Sequence, residues 1–220
     1  MSESEWLTWQ IVDSAFPTGA FAHSFGLESA WQQGEVEDLG ALDRFLRSSV
    51  LQAGYATLPL LNSAYLHPER LVSLDELCEV FLVNAVANRA SRIQGRSLVA
   101  TASRIWPSDS LAEILAVTRT TGAHVAPLTG AALRVVGLPL ATAQRVAIFS
   151  AARVVLAAAV RLGIAGSFEA QRMQYGSMEW LEEIARRCAG LTAEDLAQTA
   201  PVIDILQGEH DRLYSRLFQS

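Results

Sequence analysis

Apolar side chains recur every three to four positions over most of this chain, which is the spacing that lines one face of an α-helix. The clearest runs occupy positions 42–53, 74–86 and 111–115. The run over 143–166 is rich in alanine, whose small side chain lets helices approach closely, and it predicts a buried central helix. Because Arg145, Arg153 and Arg161 leave uncharged stretches shorter than the ~20 residues of a membrane span, we expect no membrane association.

Polar residues just before these runs predict where helices begin. The candidate caps are Asp38, the pair Ser73 and Glu76, and the pair Ser110 and Glu113. Each pair matches the capping box, in which two side chains bond reciprocally to backbone N–H groups. Thr192 is expected to begin a final helix that continues through Ala197.

No segment alternates between apolar and polar residues with the period of a β-strand. The chain is therefore predicted to be all-α, a single compact helical bundle-like domain of about eight to ten helices spanning residues 1–220. Neither a domain break nor a repeat of fixed period is apparent.

Composition narrows the class of protein. Of the 220 residues, 50% are hydrophobic and 18% are charged, so the chain is expected to bury a sizeable core. All 17 basic residues are arginine, and the lack of lysine excludes enzymes that need a lysine base, Schiff base or phosphate-loop lysine. The net charge of −6 without a basic run predicts no nucleic-acid partner.

The first residues lack the charged start and apolar core of a secretory signal. Cys78 and Cys188 are single and far apart, which indicates no disulfide framework. A reducing cytoplasm is therefore the expected compartment.

Residues 13–30 form an unusual junction between two helical stretches. Pro17 fixes its own φ and disfavours helix at Phe16, so the first helix is expected to stop near Phe16. Gly19 permits backbone angles that a β-carbon forbids. The junction is either a helix-turn-helix corner with core aromatics or an ordered array of aromatic and polar groups for contact.

Candidate catalytic and metal chemistry is weak. The four histidines have no His or Cys neighbour at the spacings of zinc sites, although a symmetric dimer could bring two copies of one histidine together. His23 and Ser24 are adjacent, but neighbouring side chains diverge and poorly serve as base and nucleophile. We expect neither an enzyme nor a metal ion or cofactor bound by this chain alone.

Arg89, Arg92 and Arg96 share one helix face, beside Gln94. They form either a solvated stripe or a set of guanidinium groups that pair with carboxylates on a partner. The C-terminal tail, residues 208–220, ends in apolar and aromatic side chains that need a groove on the body or on a partner.

Two motifs carry a family resemblance. The string FPTGAFAHSFGLE, residues 16–28 and here termed the N-terminal signature, closely resembles the signature of the UreF family of urease accessory proteins. Pro201, Asp204, Gln207 and His210, followed by LYSRLFQS at 213–220, resemble the closing motif of that family. Residues 92–95 and 153–166 resemble its middle helices more weakly, so the resemblance spans the chain.

The resemblance implies a non-enzymatic chaperone, which forms a homodimer and joins UreD (also called UreH) to the GTPase UreG. The assembled complex then hands nickel to apo-urease. Residues implied or proposed as partner-binding are Phe21, His23, Ser24, Glu28, Arg92, Gln94, Gln207, His210, Tyr214, Arg216 and Phe218, with Pro17 and Gly19 as the structural turn.

The tail and the Pro17–Gly19 corner are expected to form one coupled surface. Deletion after Gly208 is expected to abolish capture of UreD with almost no change in melting. Two alternatives stay open: an unrelated all-helical adaptor, and a metal-dependent enzyme with ligands from distant helices.

Overall fold

The computed structural model describes residues 3–219, and within that range the chain is helical without any β-strand. The predicted all-α class is confirmed. The α-helices are α1 Glu3–Val12, α2 Leu27–Gln32, α3 Leu39–Gln52, α4 Leu58–Leu66, α5 Leu71–Phe81, α6 Ala85–Ile105, α7 Asp109–Val117, α8 Val125–Val135, α9 Leu140–Arg161, α10 Ser167–Gly176, α11 Met178–Cys188 and α12 Pro201–Gly208.

These helices outnumber the eight to ten expected within the part of the chain that the structure describes. Helix α2 has 6 residues and α12 has 8, lengths at which apolar periodicity gives almost no signal. A single residue, Ser177, separates α10 from α11. The extra helices are thus short pieces whose boundaries depend on packing.

The predicted cap at Asp38 is confirmed, because its carboxylate accepts a hydrogen bond from the backbone N–H three residues later, at 2.7 Å. Thr192 and Asp195 also form a capping box. It opens only the 3-10 turn Ala193–Asp195, so the predicted helix through Ala197 is wrong.

Two other predicted caps are wrong in position. Helix α5 begins at Leu71, and the Ser73 hydroxyl donates to the carbonyl oxygen of Arg70 at 2.9 Å. Helix α7 is capped by Ser108, whose hydroxyl accepts from the N–H three residues later, and not by Ser110. Each helix start offers competing polar residues, and packing selects among them.

The first helix ends at Val12, short of the predicted stop near Phe16. The Asp13 carboxylate accepts the backbone N–H of Ala15 at 2.7 Å, a local side-chain bond that competes with helical hydrogen bonding. The helix therefore ends before it reaches Phe16, the residue whose backbone Pro17 restricts.

Helix α4 contributes to both hydrophobic clusters of the molecule. Leu58 and Leu61 lie in the first cluster, with α3 and α9, and Leu60 and Ala64 lie in the second, with α6, α7 and α8. A Cβ at Gly130 of α8 would lie 2.1 Å from the carbonyl oxygen of Leu61, so glycine permits the two backbones to touch. This close approach packs α4 directly against α8, and α4 thereby joins the two clusters.

Helix α9 is the predicted central helix. Among the described residues it alone is long and apolar enough to cross a membrane by length and composition, but 56% of its apolar window is buried inside the protein. Burial of that extent is typical of a core helix of a globular protein.

Candidate functional site

The corner at Pro17 and Gly19 packs against α6. The Pro17 carbonyl accepts hydrogen bonds from the hydroxyls of Ser97 and Thr101, at 2.9 and 3.0 Å. Gly19 has a φ of 74°, a left-handed conformation that glycine adopts without strain. The corner is thus fixed to the body of the protein.

Glu28, in the first turn of α2, holds the C-terminal tail. Its Oε1 accepts from the backbone N–H of Leu217 at 2.5 Å, and its Oε2 accepts from that of Phe218 at 3.2 Å. Oε2 also lies 3.1 Å from Nε2 of His210, whose side chain is fully buried, and the Glu28 side chain is only 2% exposed. We call Glu28 and the groups it binds on His210, Leu217 and Phe218 the tail clamp.

Two further contacts join the tail region to the N-terminal signature. The backbone N–H of Gln219 donates to the carbonyl of Ala22 at 2.7 Å. Gly26 has a φ of 88°, and a Cβ there would lie 3.2 Å from the backbone nitrogen of Gln207 in α12. Glycine therefore serves both the backbone conformation and the close approach of α12.

Two arginines of α9 also contact this junction between the tail and the N-terminal signature. Arg161 donates to the carbonyl oxygen of Phe21 at 2.6 Å, and its guanidinium lies 4.1 Å from the centre of the Phe218 ring. The guanidinium of Arg153 lies 5.0 Å from the centre of the Phe21 ring. Sequence reasoning missed this role; the available signal was charge within an otherwise apolar helix.

The protonation states follow from burial and from neighbouring charges. Burial lowers the pKa of His23 to about 4, with His210 and Arg89 adding to the effect, so His23 is neutral at neutral pH. Arg89 donates to Asp211 at 2.8 Å, and this hydrogen bond lowers the pKa of Asp211. The tail therefore carries an ionised carboxylate beside α6.

The candidate partner-binding residues fall into two groups. Tyr214 is fully exposed, and the side chains of Arg216 and Arg92 are 47% and 39% exposed. Phe21 is half-buried. The buried group comprises His23, Ser24, Glu28, Gln94, Gln207, His210 and Phe218. These side chains are enclosed by the fold and support the surface without being part of it. Only the exposed group has side chains that point towards solvent.

The expectation that the tail contributes almost nothing to melting conflicts with these contacts. His210 and Phe218 are buried by the body of the protein. Removal of the tail leaves Glu28 without its described donors and uncovers apolar surface, and both changes lower stability. Ser220, the last residue of the closing motif, lies outside the described residues.

A second histidine–carboxylate pair was not foreseen from the sequence. Nε2 of His124 lies 2.8 Å from Oε2 of Glu79, and its Nδ1 lies 3.1 Å from the Ser91 hydroxyl. The Asp75 carboxylate accepts the backbone N–H of His124 at 2.6 Å. The hydrogen bond from His124 lowers the pKa of Glu79, whose side chain is 46% exposed. No local signal links residues 45 positions apart.

Gly95 has a packing role that accounts for part of the weaker resemblance at residues 92–95. A Cβ at this position of α6 would lie 2.1 Å from the carbonyl oxygen of Ala123. Its neighbour Gln94 is only 6% exposed. These two positions therefore serve packing of α6 against the segment that precedes α8.

Within residues 3–219, no group of three or more His, Cys, Asp or Glu side chains is placed to hold a metal ion. Cys78 and Cys188 are free and buried. Burial raises the pKa of the Cys78 thiol to about 12, which disfavours the thiolate. The described surface instead has exposed aromatic and arginine side chains, which lie above buried hydrogen-bonded pairs.

Comparison with known proteins places this arrangement in a family. The model of the family described as UreF matches residues 36–178, more than half of the chain. The chain belongs to the UreF family. Similar proteins include urease accessory protein F of Oryza sativa subsp. japonica, 34% identical over 98% of this chain and 85% of the relative. That of Arabidopsis thaliana is 33% identical over 98% and 92%.

A bacterial relative is also similar over almost the whole chain. Urease accessory protein UreF of Arthrobacter sp. (strain FB24) is 30% identical over 96% of this chain and 95% of its own length. Family membership removes the alternative of an unrelated helical adaptor.

Proposed function

We propose that this chain is a non-enzymatic scaffold of urease maturation. It joins UreD, also called UreH, to the GTPase UreG and supports GTP-dependent insertion of nickel into apo-urease. The proposal is supported by membership of the UreF family, whose relatives are named urease accessory proteins. Nickel is the cargo of the complex in this proposal and is not bound by this chain alone.

The observation that carries the proposal is the tail clamp. It fastens the last residues of the chain to the N-terminal signature, so that two motifs from opposite ends share one surface. On that surface Tyr214 is fully exposed and Arg216 is half-exposed, 3.5 Å from Asp211. Aromatic and arginine side chains on a rigid base are typical of residues that dominate the energy of a protein interface.

Changing the two exposed tail residues tests this proposal. The double variant Tyr214→Ala, Arg216→Gln should keep the melting temperature, because both side chains are exposed, but should lose capture of UreD and activation of urease in cells lacking the wild-type protein. The matched control is Tyr175→Ala, Arg172→Gln, which removes an exposed tyrosine and arginine from α10. Normal UreD capture and urease activation by the tail variant would contradict the proposal.

The same proposal includes a homodimer in the cytoplasm. Two free buried cysteines suit a reducing compartment, and the large exposed side chains of Trp6 and Trp9 on α1 suit burial against another chain. Sedimentation of the purified protein tests the dimer, which should have twice the 23.8 kDa mass of one chain.

A further inference from the structure

A shallow groove with a volume of about 610 Å³ lies between the end of α5 and the first half of α6. Arg89, Arg92 and Arg96 line one side of it, and Val83 and Ile93 add apolar surface. Val83 is 84% exposed and Ile93 is 42% exposed, so apolar surface lies open to solvent next to the arginines. We call this feature the arginine groove.

Two of the three groove arginines, Arg92 and Arg96, share a single backbone oxygen as their acceptor. Nε of Arg92 and Nη2 of Arg96 donate to the carbonyl oxygen of Gly122, at 3.2 and 3.3 Å. Each guanidinium carries five N–H donors, more than one carbonyl takes up. The two side chains are therefore positioned in advance, with donors left to bind a carboxylate in bidentate fashion.

The charge of the groove is opposite to that of the whole chain. Glu79 is the one acid among the described residues that line it, and its Oε1 lies 4.0 Å from Nη1 of Arg92, too far for a hydrogen bond. Asp211 pairs with Arg89 from the tail side. Arg92 and Arg96 therefore supply excess positive charge in a protein whose net charge is −6.

We propose that the arginine groove binds an acidic segment of a partner protein. Carboxylates of that segment pair with Arg92 and Arg96, and an apolar side chain packs on Val83 and Ile93. The apolar surface favours a peptide over a nucleic acid, because a phosphate backbone gains nothing from it. The proposal rests on the proposed scaffold function and adds to it a contact surface on α6, formed around Arg92 and Arg96. This surface meets the tail surface at Asp211, where Arg89 and Arg216 approach the same carboxylate oxygen.

Calorimetric titration of the full chain with a short synthetic peptide of glutamate and leucine tests the groove. We expect saturable binding that the double variant Arg92→Gln, Arg96→Gln weakens about tenfold or more, since it removes charge-assisted hydrogen bonds. Glu79→Gln should tighten binding by about two- to fivefold, because it removes the opposing charge. Gln retains an oxygen for the bond from His124, so this variant keeps the fold.

The matched control is Arg44→Gln, Arg172→Gln, which removes one exposed arginine from α3 and one from α10, neither of which lines the groove. It should leave peptide affinity unchanged while circular dichroism confirms that all variants are folded. The proposal is overturned if the control loses as much affinity as the groove variant, if the wild type shows no saturable binding, or if a single-stranded oligonucleotide binds more tightly than the peptide. These outcomes leave the UreD capture test untouched, so the two proposals fail separately.

Discussion

The tail clamp and the His124–Glu79 pair use the same two residue types and similar distances, yet their environments differ. Glu28 lies 3.1 Å from His210 and is 2% exposed, whereas Glu79 lies 2.8 Å from His124 and is 46% exposed. Glu28 also accepts two backbone N–H groups, from Leu217 and Phe218. From this comparison we expect burial and the number of donors, rather than pair distance, to decide how much stability is lost when the carboxylate is changed.

The two pairs also differ in what they connect. Glu28 and His210 are 182 positions apart and bring the two ends of the chain together. Glu79 forms part of the wall of an open groove. The Glu28–His210 pair is buried beneath the surface where the two chain ends meet, whereas Glu79 of the other pair is itself part of an exposed surface.

Truncation after Gly208 should give the largest effect. The burial of Phe218 contributes about 2 kcal/mol, and loss of the hydrogen bonds to Glu28 brings the total destabilisation to roughly 4 kcal/mol. Urea unfolding measures it. An unchanged unfolding midpoint would show that the bound tail adds no measurable stability. The tail clamp would then stabilise the fold no more than the His124–Glu79 pair does.

Acid should give the next largest loss of stability, through the buried His23. The folded-state pKa of His23 is about 4, below its usual value of 6.5, so the unfolded chain binds more protons between these values. Stability from this group is complete above pH 6.5 and is lost as pH falls towards 4, by at most about 3 kcal/mol. Unfolding free energies measured across this range should slope less in His23→Gln, and an identical slope would contradict the assignment.

Glu28→Gln should cost about 2 kcal/mol, because the amide has one oxygen and its NH₂ group faces a backbone donor inside the protein. Chemical unfolding with far-UV circular dichroism measures the change. The clamp would need a different explanation if this variant were as stable as the wild type.

Glu79→Gln is the matched substitution and should change stability by less than about 0.5 kcal/mol. Its amide oxygen still accepts from His124, and its NH₂ group can face solvent. The depressed pKa of Glu79 means that its small contribution is lost as pH falls below the usual value of 4.5. Equal losses in Glu28→Gln and Glu79→Gln would overturn the comparison.

Much of the helical architecture was predictable because its signals are local. The cap at Asp38 and the alanine-rich helix α9 each depend on residues a few positions apart, and both are present. The caps at Ser73 and Ser110 failed because several polar residues compete at each helix start. Helix α12 was missed because eight residues carry too little periodicity.

The candidate site was predictable only as a pair of segments. Both motifs could be located from the residue types that they contain, and the structure brings them into contact. Which members face outward was not predictable, since Tyr214 is exposed and the nearby Phe218 is buried under Arg161. The supporting arginines of α9 and the His124–Glu79 pair depend on contacts between distant segments.

The sequence by itself determined the all-α class, the central helix and the turn at Pro17, because helical periodicity and turn chemistry act over a few residues. The two terminal motifs were identified through their resemblance to a family. The tertiary structure decided which motif residues are enclosed, which are exposed, and which carboxylate meets which histidine. Such choices depend on close packing between segments up to 197 positions apart, the separation of Ala22 and Gln219, and no local pattern records them.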